Sequence, residues 1–135
     1  AERFPNSVIV RLPGIFGPGL KKNFLFDLRE HNSEFLAQVH VQSIVQFYDL
    51  KRLWPDIQRA LQHKIFLLNM AVEPLPLQKI SQEIFGYEFK GRVEGPVYHD
   101  DMRSKYGQLW GQDRPYLYSS GQVMGDLRLF FGPAS

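Results

Sequence analysis

An α/β fold, with strands and helices alternating along one domain, is the architecture this sequence predicts, and three observations predict it. Short β-branched or apolar runs at residues 7–12, 39–48 and 64–70 alternate with stretches whose apolar residues recur at helical spacing. Gly and Pro punctuate most boundaries between them. The 135 residues, 44% hydrophobic and 22% charged, are enough to bury one core.

The elements follow in order. Ser7 to Leu12 (SVIVRL) is β-branched with apolar residues on both faces, as in a strand buried within a parallel sheet. Pro13 to Gly19 breaks it as a loop. Phe24, Leu25 and Leu28 start a helix that Asn32 ends. Val39 to Tyr48 reads as extended, in two short strands. Leu50, Leu53, Trp54, Ile57 and Leu61 form a helical stripe expected in the core, with Pro55 confined to the first turn because it lacks an N–H. Lys64 to Met70 (KIFLLNM) is a second buried strand. A helix carrying Leu77, Ile80, Ile84 and Phe85 enters after Pro76 and stops at Gly86. Tyr87 to Tyr98 is irregular, with one strand at its start. A last helix starts near Ser119 or Ser120, carries Val123, Met124, Leu127 and Phe130, and stops at Gly132-Pro133.

Composition excludes several function classes. A net charge of +2, with the basic residues scattered, does not form the stripe a nucleic acid needs. Without cysteine there are no disulfides, thiolate metal sites or Cys nucleophiles, which fits a cytoplasmic protein. No apolar run approaches the ~20 residues that span a membrane. The start lacks Met and a signal-peptide pattern, so a piece of a longer chain is expected. The 11 Phe, 6 Tyr and 2 Trp suit a packed core or a stacking pocket.

The stretch RLPGIFGPGLKKN (residues 11–23) resembles a phosphate loop, and it fails both known patterns. From Gly17, the third glycine of G-x-G-x-x-G is replaced by Lys22. From Gly14, Leu20 stands where a Walker A loop needs lysine. What survives is Lys21, Lys22 and Asn23 at the start of the next helix, where free amides and ammonium charge suit a phosphate or diphosphate.

VIVRLPGIFGPGLKKN resembles the R-x-x-x-x-[YF]-G-P-G segment of the extended short-chain dehydrogenase/reductase family, the NAD-dependent epimerases and dehydratases of nucleotide sugars. QFYDLKRLWPDIQRAL and FLLNMAVEPLPLQKISQEIFG are similar to later stretches of that family. The resemblance spans nearly all 135 residues and implies one fragment. Residues 1–22 would be the last part of a Rossmann-type nucleotide-binding sheet. Residues 23–135 would be the C-terminal substrate-binding subdomain, with a strand returning near 64–71. The N-terminal half would be missing, since neither G-x-x-G-x-x-G nor Tyr-x-x-x-Lys occurs. No catalytic residue is therefore assigned, and no metal.

By resemblance, Pro13, Gly14 and Ile15 would touch the nicotinamide of NAD or NADP. Asn23 would contact the nucleotide-sugar substrate; a plain helix cap is its structural reading. Gln46 stands where relatives place an Arg for the diphosphate, and it offers a hydrogen bond without charge. Arg103, in HDDMRSKYG, can grip phosphate with two N–H groups or simply pair at the surface. His99, Asp100 and Asp101 are adjacent and cannot all face one metal ion on regular structure. His31, His40 and His63 read as surface or hydrogen-bonded histidines, and a hydrolase elbow is absent. Two functions compete: the substrate-side part of a homo-oligomeric nucleotide-sugar epimerase, dehydratase or reductase, or a non-catalytic binding or interaction module.

Overall fold

The computed structural model describes residues 7–20 and 23–132. The sequence expectations for Lys21, Lys22 and Pro133 fall outside these. The described chain mixes helices with three two-stranded sheets, so the α/β class holds.

Two of the sheets are parallel. Strand β1 (Ile9–Arg11) pairs with β5 (Leu67–Asn69), and β2 (Gly14–Phe16) pairs with β4 (Phe47–Asp49). The third is antiparallel, β3 (Ile44–Val45) against β6 (Leu75–Pro76). A parallel pair needs a crossover, and helices supply it. Helices α1 (Phe24–Arg29) and α2 (Ser33–Leu36) lie between β2 and β4 in sequence, and α3 (Leu53–Gln62) leads back to β5. Helix α4 (Leu77–Ile80) widens into a π-helical turn over Ser81–Phe85, which Gly86 ends at φ 79°. Helix α5 (Ser120–Phe131) begins on a capping box between Ser119 and Gln122. It packs across β4 and the π turn, and its Val123, Met124 and Leu127 are buried.

Several elements differ from the sequence reading. The loop 13–19 contains strand β2, because Gly14 lets the chain approach β4 closely: a Cβ there would sit 2.7 Å from Gln46 O. The run 7–12 pairs in parallel as expected, but it is not buried on both faces. Ile9 is 66% exposed, and Leu12 is exposed as well. No strand forms among residues 87–98, which hold only an isolated bridge from Arg92 to His40. The Gln78 side chain takes the place of a strand partner there, donating to Phe89 O at 3.1 Å and accepting from Phe89 N at 2.8 Å.

Trp54 is not core but 64% exposed, because α3 turns Asp56 and Ala60 inward instead. Asp56 repays its burial with three donors. Tyr48 Oη donates at 2.5 Å, Tyr118 Oη at 2.6 Å and Trp110 Nε1 at 2.8 Å. Burial, reinforced by this carboxylate, holds both tyrosine hydroxyls above their usual range. Arg52 lies over the Tyr118 ring and grips Asp126 of α5 with two N–H bonds at 2.6 and 2.8 Å. One polar network thus ties α3, α5 and β4 together.

Candidate functional site

Strand β2 and helix α1 meet at Asn23. Its Oδ1 accepts from Phe26 N at 3.0 Å, capping α1, and its Nδ2 donates to Ile15 O at 2.9 Å. The residue therefore fixes where helix α1 departs from strand β2. One Nδ2 hydrogen remains for another partner.

Beside this junction opens a cleft of about 580 Å³. Gly14, Asn23, Val45 and Gln46 line it from the strand side, with the rings of Phe24, Phe26, Phe35, Phe47 and Tyr98 around them. Phe24 and Tyr98 meet edge to face, their centroids 5.7 Å apart. The polar lining adds Asp27, Asn32 and Asp100. Burial raises the pKa of the Asp27 carboxyl, against a 3.3 Å hydrogen bond from Asn32 Nδ2 that lowers it. Burial also raises Tyr98, and Asp100 adds to that. No Lys or Arg lines the cleft among the described residues. Aromatic walls with carboxylate and amide edges suit a ring that carries hydroxyl or amide groups.

The cleft brings together three of the six residues singled out in the sequence, and each has a structural duty besides. Gly14 lines it where no side chain fits against β4. Asn23 contributes its spare donor. Gln46 is buried, and its amide is spent: Nε2 donates to Val72 O and to Met102 O, both at 2.7 Å, and Oε1 accepts from Met102 N at 2.7 Å. Both amide hydrogens are used, so Gln46 shapes the wall and has none left for a diphosphate.

Pro13 and Ile15 are half-buried next to the cleft without lining it. Arg103 lies elsewhere. Its side chain is 65% exposed and paired with Asp101, Nη2 to Oδ2 at 2.8 Å and Nε to the same oxygen at 3.0 Å. That bond, with a second from Tyr116, holds the Asp101 carboxyl below its ordinary range. The diphosphate role expected of Arg103 therefore has no geometry joining it to Asn23. No three His, Asp or Glu side chains gather into a metal-binding group among the described residues, and no described helix is long and apolar enough to cross a membrane.

Sequence reasoning missed Phe35, Tyr98 and Asp100 as cleft residues. The high aromatic count was the only signal for the two rings, and Asp100 had been weighed only as a metal ligand. Against protein-family models, curated proteins and solved structures, the chain finds no match.

Proposed function

We propose that this chain is the substrate-side part of an NAD(P)-dependent nucleotide-sugar epimerase, dehydratase or reductase, a cytoplasmic enzyme most of whose Rossmann sheet, and all of whose catalytic residues, lie outside these 135 residues. The observation that carries the reading is the cleft beside the β2–α1 junction, which gathers Gly14 and Asn23 from the motif segment and Gln46 from the later one. In open α/β sheets, ligands bind beyond the carboxyl ends of parallel strands, where the chain turns into a helix. Asn23 offers its donor to the nucleotide-sugar. Pro13 and Ile15 stand where the nicotinamide would pass. The carboxylates of Asp27 and Asp100 accept hydroxyl groups, and the rings pack against the faces of the ligand.

The second reading, a non-catalytic binding module, draws on the same cleft. Its two carboxylates, with no described cation beside them, favour a neutral ring over a diphosphate.

Titration of the chain with UDP-glucose, with NAD and with methyl α-D-glucopyranoside, followed by protein NMR, separates the two. The enzyme reading expects UDP-glucose to move Gly14, Asn23 and Tyr98 resonances with an affinity near 1 mM or better, about 4 kcal/mol. NAD should show no micromolar binding. If the glucoside binds as well as UDP-glucose does, the module reading replaces it. If UDP-glucose moves none of these residues, the enzyme reading fails.

A further inference from the structure

The cleft beside the β2–α1 junction holds two carboxylates without a counter-charge. Asp27 and Asp100 line it together with Phe24, Phe35 and Tyr98, and no Lys or Arg does so among the described residues. An adjoining pocket of about 280 Å³ shares Phe24, Asp27, Phe35 and Tyr98 with the cleft, and no described Lys or Arg lines it either. The whole chain carries a net charge of +2, so this acidic lining is local and does not follow from composition.

The fold places each carboxylate. Asp27 stands in the first turn of α1, where its Oδ1 accepts from Asn32 Nδ2 at 3.3 Å, and both residues line the cleft. Asp27 Oδ2 has no hydrogen-bond partner among the described residues. Asp100 is tethered by its backbone N–H, which donates to Ile44 O at 3.0 Å. Its carboxylate adds to the upward shift that burial gives the Tyr98 hydroxyl, so it stands near the hydroxyl end of that ring.

Phe35 and Tyr98 are more than half exposed, and Phe24 meets Tyr98 edge to face. One guanidinium does stack on a cleft ring: Arg29 lies 5.3 Å from the Phe26 centroid. It pairs with Glu30 and lines a different pocket, beside Gly17 and Gly19. An aromatic face attracts a cation through its quadrupole, and a partly desolvated carboxylate gains from an opposite charge. A hydroxyl group gives the carboxylates a hydrogen bond without charge, and a diphosphate repels them. An ammonium group answers both the rings and the carboxylates.

We infer that the cleft takes a sugar ring bearing an ammonium group, held by the carboxylates of Asp27 and Asp100 and the rings of Phe24, Phe35 and Tyr98. The inference rests on the reading of the cleft as a sugar site and adds the charge of that sugar.

The probes are methyl α-D-glucopyranosides carrying an amino group at C2, at C4 or at C6, each beside its neutral N-acetyl form and the parent glucoside. They are titrated into the chain at mildly acidic pH, where the amines are protonated, and followed by protein NMR beside UDP-glucose. At least one amine is expected to move Asp27, Asp100 and Tyr98 resonances and to bind about fivefold or more tighter than both neutral forms. Added salt is expected to narrow that gap. Asp27→Asn keeps an oxygen for Asn32, and Asp100→Asn keeps the backbone bond to Ile44. Each is expected to weaken the amine about threefold or more beyond its effect on the neutral glucoside. If no amine binds tighter than its N-acetyl form, or if both variants weaken amine and glucoside equally, the inference is overturned. In that case UDP-glucose that still moves Gly14 and Asn23 leaves the nucleotide-sugar reading standing. If an amine binds as expected while UDP-glucose moves nothing, the inference stands and the enzyme reading fails. If no ligand moves any cleft residue, both fall.

Discussion

Gln46→Leu keeps the volume of the buried side chain and removes every bond its amide makes. Val72 O, Met102 O and Met102 N then lose their partners. The expected loss is about 3 kcal/mol or more, read by chemical denaturation, since each orphaned buried group costs about 1–3 kcal/mol. A loss under about 1 kcal/mol means that these bonds do not hold the protein in solution. Asn23→Ser separates two roles. Serine still caps α1 through its oxygen, so stability is expected to fall by only about 1 kcal/mol. It has no amide to give Ile15 or a ligand, so UDP-glucose affinity is expected to drop several-fold in the same NMR titration. An unchanged affinity makes Asn23 a cap alone. At this scale the sequence was half legible. An Asn between a glycine loop and an apolar run announces a helix start. Nothing local announces that Gln46 bonds to residues 26 and 56 positions away, or that the buried Ser43 hydroxyl has no hydrogen-bond partner among the described residues.

Among the elements, α5 was the most legible, because its start and stop are written in local chemistry. Ser119 and Gln122 close the capping box, and Gly132 turns the chain at φ 81°. Gly86 ends the π turn the same way, so Gly86→Ala is expected to cost about 1 kcal/mol in a denaturation midpoint. Strand β2 and helix α2 escaped notice because three or four residues are too few to show a period. Glu73 gives the start of α5 a dependence on acid. Its Oε1 accepts from Ser120 N at 2.8 Å, and Arg114 pairs with the same carboxylate. The backbone bond, foremost, lowers its pKa below the ordinary 4.5. A carboxylate whose folded pKa lies below its unfolded one stabilises above the unfolded value and loses that contribution as pH falls through the folded one. Stability is therefore expected to fall below about pH 4.5, and Glu73→Gln is expected to flatten that limb. Asp27, whose pKa burial raises, works in the opposite sense. An acid limb of equal steepness in the variant removes Glu73 from the account.

For the whole molecule, the β1–β5 sheet sets the behaviour in solution. Strand β1 bonds to β5 through Ile9 and Arg11, so the backbone groups of Val10 face the other way, where no strand pairs with them among the described residues. Ile9 and its register partner Leu67 are exposed, and so is Phe66. Such an edge invites pairing with another strand. Self-association is expected in light scattering at high concentration, and Ile9→Lys is expected to reduce it. A clean monomer for both chains removes the sheet from the account. The parallel strand was legible from its β-branched run, whereas its exposure was not, because a sequence does not show what covers a face. The same pairing also puts the strands in an order in time. Neither parallel sheet is a hairpin, and Ile9 meets Leu67 only after all the chain between them has been made. At ~5–20 residues per second, β1 leaves the ribosome several seconds before its partner exists. Through that interval its apolar side chains have no native place to go, and a chaperone that shields residues 8–12 would find its longest opportunity there.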